Sequence, residues 1–241
     1  MTVEMKGRIA LVTGAARGLG LQIMRDLAQK GVHVCGTDLR GDLLEAEINK
    51  ISDEFAVDTL ALKADVTNEQ EVCSTVRQVY KKWGQLDVLV NNAGMRMVGM
   101  LHETSIETWE TMQSINLRGQ FLFTREVLKQ GMLERNEGTL IFISSDAGLH
   151  GNKNSGAYCA SKWGVIGLAE TTAKETKRSN IRVSTIAPGR VWTPMAEESE
   201  VADAGLDWLD VEDVSNAVIF CIEQKPGTSI PLLSILPRSQ I

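Results

Sequence analysis

The sequence predicts an α/β protein, a single doubly wound domain whose central parallel sheet of about seven strands carries helices on both faces. Short apolar segments alternate with amphipathic helical patterns along the chain, as in strands joined by helical crossovers. Near the N-terminus, a strand pattern leads into a glycine cluster and then into a helix. The 241 residues, 43% of them hydrophobic, are enough for one large core. We therefore predict one domain over 1–241.

The predicted elements follow one another in strict alternation. Strands are predicted at 8–13, 32–37, 57–63, 86–90, 138–144, 181–187 and 229–235. Helices are predicted at 18–30, 41–54, 68–82, 105–131, 157–178 and 211–223. Between Pro188 and Val211 the pattern changes to a loop with a short helix.

The turn after the first strand predicts a dinucleotide site. Its glycines, Gly14, Gly18 and Gly20, are spaced Gly-x-x-x-Gly-x-Gly. Glycine adopts backbone conformations closed to other residues and lets a ligand approach the main chain. The helix behind the turn begins with unpaired N–H groups and a positive dipole end, which suit a pyrophosphate.

The end of the second strand bears on the choice of cofactor. Asp38 stands eighteen residues after Gly20. A carboxylate there can accept hydrogen bonds from the adenosine ribose and repels a 2′-phosphate, so we predict NAD rather than NADP. The alternative interpretation of Asp38 is an ordinary turn residue. Arg17 and Arg40 leave NADP as the second choice, because a guanidinium can bind a phosphate.

A phenol and an ammonium are predicted to share one helix face. Tyr158 and Lys162 are four residues apart, and Ser145 lies thirteen residues before the tyrosine. A neighbouring cation favours the phenolate and would bring its pKa, ordinarily about 10, toward neutrality. The Ser145 hydroxyl would then hold a substrate oxygen beside the phenol. For the pair alone, a solvated helix face is the alternative.

Together these motifs resemble the short-chain dehydrogenase/reductase family in its single-domain form. The matching segments are Thr13–Gly20, Asp65–Val66, Asn91–Gly94, Asn116, Ser145, Tyr158, Lys162 and Pro188–Gly189. They stand in the family's order and spacing, and they cover the chain from about Lys6 to Met195. The resemblance implies a Rossmann-type domain that transfers a hydride between NAD(H) and the alcohol or carbonyl group of a small molecule.

The resemblance also implies the catalytic residues, which are Asn116, Ser145, Tyr158 and Lys162. Tyr158 is the acid and base, Ser145 binds the substrate oxygen, and Lys162 favours the phenolate and binds the nicotinamide ribose. Asn116 is implied to open its helix and to hold a water that links Lys162 to solvent. Family spacing selects Ser145 rather than Ser144, which is then a strand-end hydroxyl bonded to backbone.

Further cofactor contacts are implied along the chain. By resemblance, the Asp65 side chain and the Val66 backbone hold the adenine, and the Thr193 hydroxyl meets a phosphate or the carboxamide. The full predicted set is Gly14, Arg17, Gly18, Leu19, Gly20, Asp38, Asp65, Val66, Asn92, Ala93, Gly94, Tyr158, Lys162, Pro188, Gly189, Val191 and Thr193. No metal is predicted. The segment at about 189–210 is implied to be a substrate lid.

Composition bears on partners and location. A net charge of −6 argues against nucleic acid or a membrane surface as the partner. No apolar run approaches the ~18 residues of a spanning helix, and the first residues lack the features of a signal peptide. The four cysteines have no paired spacing, as expected for reduced thiols in a cytoplasmic protein. The resemblance implies a homodimer or homotetramer.

Several alternatives concern the substrate and the reaction. The stretch from Ser229 resembles that of the subgroup acting on serine and other 3-hydroxy acids, for which Arg96 and Arg190 are candidate carboxylate ligands. His150 is an alternative base, although a pocket or surface histidine is the preferred interpretation. Possible pocket-lining residues are Met95, Met97, Trp192, Met195 and Trp208. A non-catalytic NAD-binding sensor and a dehydratase or epimerase remain as other functions.

Overall fold

A computed structural model describes residues 3–197 and 207–240. Its strands form one parallel sheet in the order β3-β2-β1-β4-β5-β6-β7. They are β1 (Ile9–Thr13), β2 (His33–Asp38), β3 (Thr59–Lys63), β4 (Val88–Asn91), β5 (Glu137–Ile143), β6 (Asn180–Pro188) and β7 (Leu232–Ile235). The strand order reverses beside β1, which leaves a crevice at the carboxyl ends of the central strands.

Helices connect the strands and cover the sheet. They are α1 (Gly18–Gln29), α2 (Gly41–Phe55), α3 (Glu69–Trp83), α4 (Ile106–Gln113), α5 (Gly119–Val127), α6 (Leu133–Arg135), α7 (Gly156–Glu175), α8 (Pro194–Glu197) and α9 (Val211–Ile222). Within the described residues, none of these helices has the length and apolar character needed to cross a membrane.

The alternation of side chains along each strand divides the core into two layers. In β1, Ala10 and Val12 pack with α1, α2 and α9 on one face of the sheet. Ile9 and Leu11 point to the other face and pack with α3, α5 and α7. All five residues of β1 are buried, because a parallel sheet is covered on both sides. The predicted doubly wound α/β fold is therefore confirmed.

Several predicted boundaries differ from the structure by up to three residues, and two differences have a clear physical reason. The single helix predicted over 105–131 is divided, because the chain widens into π-helical turns at Ser114–Arg118 and Leu128–Met132. The strand predicted at 229–235 begins only at Leu232, because Pro231 has no N–H to give to a ladder. Part of the predicted lid, residues 198–206, lies outside the described residues; its described part contains α8.

A buried carboxylate connects the start of β4 to β1 and to α6. Asp87, just before β4, is 6% exposed. Its Oδ2 accepts a 2.8 Å hydrogen bond from the Ile9 N–H, and its Oδ1 accepts one of 2.7 Å from the Arg135 guanidinium. Asp87 therefore satisfies a strand N–H and a cation at once.

We expect Asp87→Ala to lower the free energy of unfolding by about 3 kcal/mol, because the Arg135 charge and the Ile9 N–H lose their partner. Denaturant unfolding measures this change. The control is Glu170→Ala, whose exposed ion pair with Lys174 spans 3.7 Å and should contribute less than about 0.5 kcal/mol. Equal effects of the two substitutions would contradict the prediction.

Candidate active site

A cavity of about 440 Å³ lies at the carboxyl ends of the central strands, a volume suited to a small-molecule ligand. Most of the predicted site residues line it. They are Gly14, Arg17, Gly18, Leu19, Gly20, Asn92, Ala93, Gly94, Ser145, Tyr158, Lys162, Pro188, Gly189, Val191 and Thr193. The fold thus brings five separate segments of the chain to one cavity.

Four predicted residues do not line this cavity: Asp38, Asp65, Val66 and Asn116. One Asp65 carboxylate oxygen accepts hydrogen bonds from the Thr67 N–H and hydroxyl, both 2.8 Å long. That carboxylate therefore closes the turn before α3. Val66 is buried against Gly119. The adenine contacts implied for Asp65 and Val66 stay predictions.

The glycine turn is built without room for side chains. Gly14 and Gly18 have φ values of +65° and +58°, which favour glycine. A Cβ on Gly20 would lie 2.6 Å from Asn92 Nδ2. That amide donates hydrogen bonds of 2.9 and 3.1 Å to the carbonyl oxygens of Thr13 and Gly14. The ends of β1 and β4 are thereby held together beneath the turn.

The start of α1 is suited to a phosphate. No side-chain hydrogen bond caps this helix among the described residues, and its first residues, Gly18 to Gly20, line the cavity. The first N–H groups of a helix favour anions when no side chain caps them. The turn and the helix therefore fit the diphosphate of a dinucleotide.

Asp38 forms a close ion pair with Arg40. Its Oδ1 accepts from the Arg40 N–H and Nε, both at 3.0 Å, and its Oδ2 accepts from Arg40 Nη2 at 3.2 Å and from the Ala16 N–H at 3.1 Å. Burial raises the pKa of Asp38, but these hydrogen bonds outweigh it and hold the pKa below its usual range. Arg40, not Asp38, lines the cavity.

Tyr158 lies close to two cations. Lys162 Nζ is 5.7 Å and Arg96 Cζ is 5.9 Å from the centre of its ring. Lys162 is buried, and its ammonium donates a 2.9 Å hydrogen bond to the carbonyl oxygen of Ile143 at the end of β5. Burial lowers the pKa of Lys162 to about 8. The predicted helical pairing of phenol and ammonium is therefore present.

The expected lowering of the Tyr158 pKa is wrong for this structure. Burial raises the pKa of the phenol, and the neighbouring Ser145 hydroxyl and the charge of Arg96 offset this only in part. Lys162 does not reverse the balance, because its ammonium gives its hydrogen bond to the Ile143 carbonyl.

The two adjacent serines have different partners. The Ser145 hydroxyl donates to Asp146 Oδ1 at 2.8 Å and accepts from the Ala147 N–H at 3.2 Å. The Ser144 hydroxyl donates to the carbonyl oxygen of Lys162 at 3.0 Å. Ser144 is thus bonded to backbone, as predicted, and Ser145 is the one that lies next to the phenol and the cavity.

Asn116 connects the loop after β4 to α7. Its Oδ1 accepts from the Met95 N–H at 2.8 Å, and its Nδ2 donates to the Met95 carbonyl at 2.9 Å and to Ser161 Oγ at 3.0 Å. It is fully buried within the π-helical turn, which agrees with the implied opening of the helix. The implied water relay stays a prediction.

Some polar lining residues were not predicted, among them Asp146, Asn152, Ser155 and Gln240. The position of Asp146 beside Ser145 was a usable signal, but nothing local marks Gln240. Met95, Met195 and Trp208 line the cavity as predicted, whereas Met97 and Trp192 do not. His150 is exposed and also lies outside the lining.

Comparison with known proteins defines the class of protein. A family profile described as short chain dehydrogenase matches residues 8–204. The chain therefore belongs to the short-chain dehydrogenase family, a family of oxidoreductases with a Rossmann-type fold.

Relatives match over most of the chain. A 3-oxoacyl-acyl-carrier-protein reductase of Thermotoga maritima is 36% identical over 197 residues, which are 81% of this chain and 79% of that protein. A 3-alpha-(or 20-beta)-hydroxysteroid dehydrogenase of Mycobacterium bovis is 36% identical over 232 residues, covering 95% of this chain and 87% of that one. The crystal structure of a variant actinorhodin polyketide ketoreductase with NADPH has a TM-score of 0.88 at 30% identity, covering 98% of both chains.

Proposed function

We propose that this protein transfers a hydride between NAD(H) and the alcohol or carbonyl group of a small molecule. One observation carries the proposal: Ser145, Tyr158 and Lys162 line the same cavity as the glycine turn. A proton-transfer group and a dinucleotide cradle in one cavity are the two parts such a reaction needs. The oxidoreductase family of the chain supports the same conclusion.

The cofactor would lie along the cavity from the turn toward Tyr158. A nicotinamide dinucleotide, when bound, supplies the hydride carrier. The turn from Gly14 to Gly20 and the start of α1 would hold its diphosphate. Gly94, Val191 and Thr193 line the remaining wall and would contact the nicotinamide half.

The Tyr158 phenol is the proposed proton-transfer group. In reduction, the Tyr158 hydroxyl gives its proton to the carbonyl oxygen of the substrate, and in oxidation it takes that proton back. Ser145 donates a hydrogen bond to the same oxygen, which requires its hydroxyl to turn away from Asp146. Lys162 favours the phenolate that remains after reduction. With a pKa of about 8, the ammonium is mostly charged at neutral pH.

An activity panel tests this function. Secondary alcohols, hydroxy acids and sugars are offered with NAD, their carbonyl counterparts are offered with NADH, and the absorbance of reduced nicotinamide is followed. We expect turnover on at least one pair, and its loss in Tyr158→Phe. Tight NAD binding without turnover on any pair would instead favour the non-catalytic sensor.

One observation favours hydroxy acids within this panel. The Arg96 guanidinium lines the cavity close to the Tyr158 ring, and no carboxylate among the described residues pairs with it. A substrate carboxylate could therefore meet Arg96 while its hydroxyl meets the phenol. Arg96→Gln should then raise KM for acids but not for neutral alcohols.

We also propose NAD rather than NADP, since Asp38 engages the Arg40 guanidinium and adds a negative charge where a 2′-phosphate would lie. The ketoreductase that this chain resembles was solved with NADPH, so NADP is the alternative.

The decisive measurement is kcat/KM for both cofactors. Asp38→Ser should narrow or reverse the preference by releasing Arg40, whereas Asp42→Ser, an exposed carboxylate at the start of α2, should not. Equal use of both cofactors by the unmodified protein would reject NAD.

A further inference from the structure

The segment that follows β7 reaches the active-site cavity through one side chain. Gln240 Nε2 donates a hydrogen bond to Asp146 Oδ2, and Gln240 Oε1 accepts one of 3.1 Å from the Arg190 N–H. A Cβ on Gly189 would overlap Gln240 Oε1, so glycine leaves the space that the amide fills. Gln240 is only partly exposed and lines the cavity.

The Asp146 carboxylate is held from two sides. Oδ2 faces Gln240, while Oδ1 accepts from the Ser145 hydroxyl and from the Ala147 N–H, both at 2.8 Å. An unbroken series of hydrogen bonds thus runs from Ser145 through Asp146 to Gln240. Each contact restricts the next group, since a carboxylate bound at both oxygens cannot rotate freely.

We propose that Gln240 is a positioning residue for the active site: its amide holds the Asp146 carboxylate, and that carboxylate orients the Ser145 hydroxyl toward or away from the phenol. The catalytic consequence rests on the proposed function, but the positioning itself does not.

The physical reason is competition for one hydroxyl hydrogen. Ser145 can donate either to Asp146 or to the oxygen that reacts beside Tyr158. An N–H from Gln240 satisfies part of the Asp146 charge and weakens its hold on Ser145. In the part of the chain that the structure describes, the charged and titratable groups near the phenol are Arg96, Lys162, Asp146 and the Cys159 thiol. Of these, Gln240 contacts Asp146.

The first test needs no substrate. The chain has two tyrosines, Tyr80 and Tyr158, so a ring-fluorinated tyrosine gives two fluorine NMR signals whose titrations are followed separately. Gln240→Ala should raise the pKa of Tyr158 by roughly half a pH unit, because the Asp146 charge is then less compensated and draws the Ser145 hydrogen more strongly. Asp146→Asn should lower the pKa of Tyr158. The pKa of Tyr80 should not change in either variant.

The second test exchanges donor and acceptor. Gln240→Ala should lower kcat about 10-fold with an unchanged KM for NAD, the scale of one lost hydrogen bond. Gln240→Glu places two carboxylates together and should lower kcat further. Combining Gln240→Glu with Asp146→Asn restores an amide–carboxylate pair, so kcat should return to within about 3-fold of the unmodified protein. The exposed neighbour Arg238→Gln is the control and should change nothing.

An unchanged Tyr158 titration in Gln240→Ala would overturn the proposal, and so would a double variant no better than Gln240→Glu alone. A change in substrate KM without a change in kcat would also overturn it, because a mere cavity wall acts in that way. A shifted titration in a protein with no turnover on any substrate would reject the proposed function and leave the positioning role standing.

Discussion

Tyr158→Phe should lower kcat by about 10²–10⁴-fold, the usual contribution of a positioned acid–base group. The substitution removes the hydroxyl and keeps the ring that packs beside Lys162 and Arg96. The fold and the binding of NADH should therefore survive. Steady-state kinetics gives the rate, while circular dichroism and a fluorescence titration with NADH give the two controls.

The matched variant for this prediction is His150→Gln. His150 is the alternative base, but it is exposed and lies outside the cavity lining. We expect its removal to change kcat less than 3-fold, on the scale of ordinary surface changes. Near-normal turnover in Tyr158→Phe, together with a large loss in His150→Gln, would exchange the roles of the two residues.

Gly20→Ala should weaken NAD(H) binding by about 10–100-fold and lower the free energy of unfolding by about 1–3 kcal/mol. The new methyl group would lie 2.6 Å from Asn92 Nδ2 and would also meet the Gly14 carbonyl. Asn92 cannot move aside without giving up its hydrogen bonds to Thr13 and Gly14. The turn itself must therefore shift, and with it the N–H groups of α1.

Gly167→Ala is the control for that prediction. Gly167 is exposed within α7, and a Cβ there would meet nothing within 4 Å. Alanine favours the helix over glycine, so this variant should gain about 0.5–1 kcal/mol and bind NAD(H) normally. Calorimetric titration and denaturant unfolding compare the two variants. Normal cofactor affinity in Gly20→Ala would mean that the turn does not hold the cofactor.

Local features explain why much of the site could be predicted. The glycine turn lies between a strand and a helix that are contiguous in the chain, and Tyr158 and Lys162 are one helical turn apart. Such short-range geometry follows from backbone periodicity alone. The carboxyl ends of parallel strands meet at one edge of a sheet, so Ser145 could be placed near the turn without knowledge of the packing.

Other features depended on side-chain packing. The Asp38 carboxylate, expected to face a ribose, is engaged by Arg40. The arrangement of these two side chains decides which one lines the cavity. The long helix predicted over 105–131 is widened at Asn116, because that side chain bonds to Met95, twenty-one residues away in sequence. Helical periodicity contains no information about such a contact.

By itself the sequence determined the alternation of strands and helices, the dinucleotide turn and the phenol–ammonium pair, because each of these depends on neighbours in the chain. Only the tertiary structure decided the pKa of Tyr158, where burial outweighs the charge of Arg96 and raises the pKa. It also decided the contact of Gln240 with Asp146, which are ninety-four residues apart in sequence. Both depend on how distant segments exclude water and meet, and desolvation and long-range contacts exist only once the chain has packed.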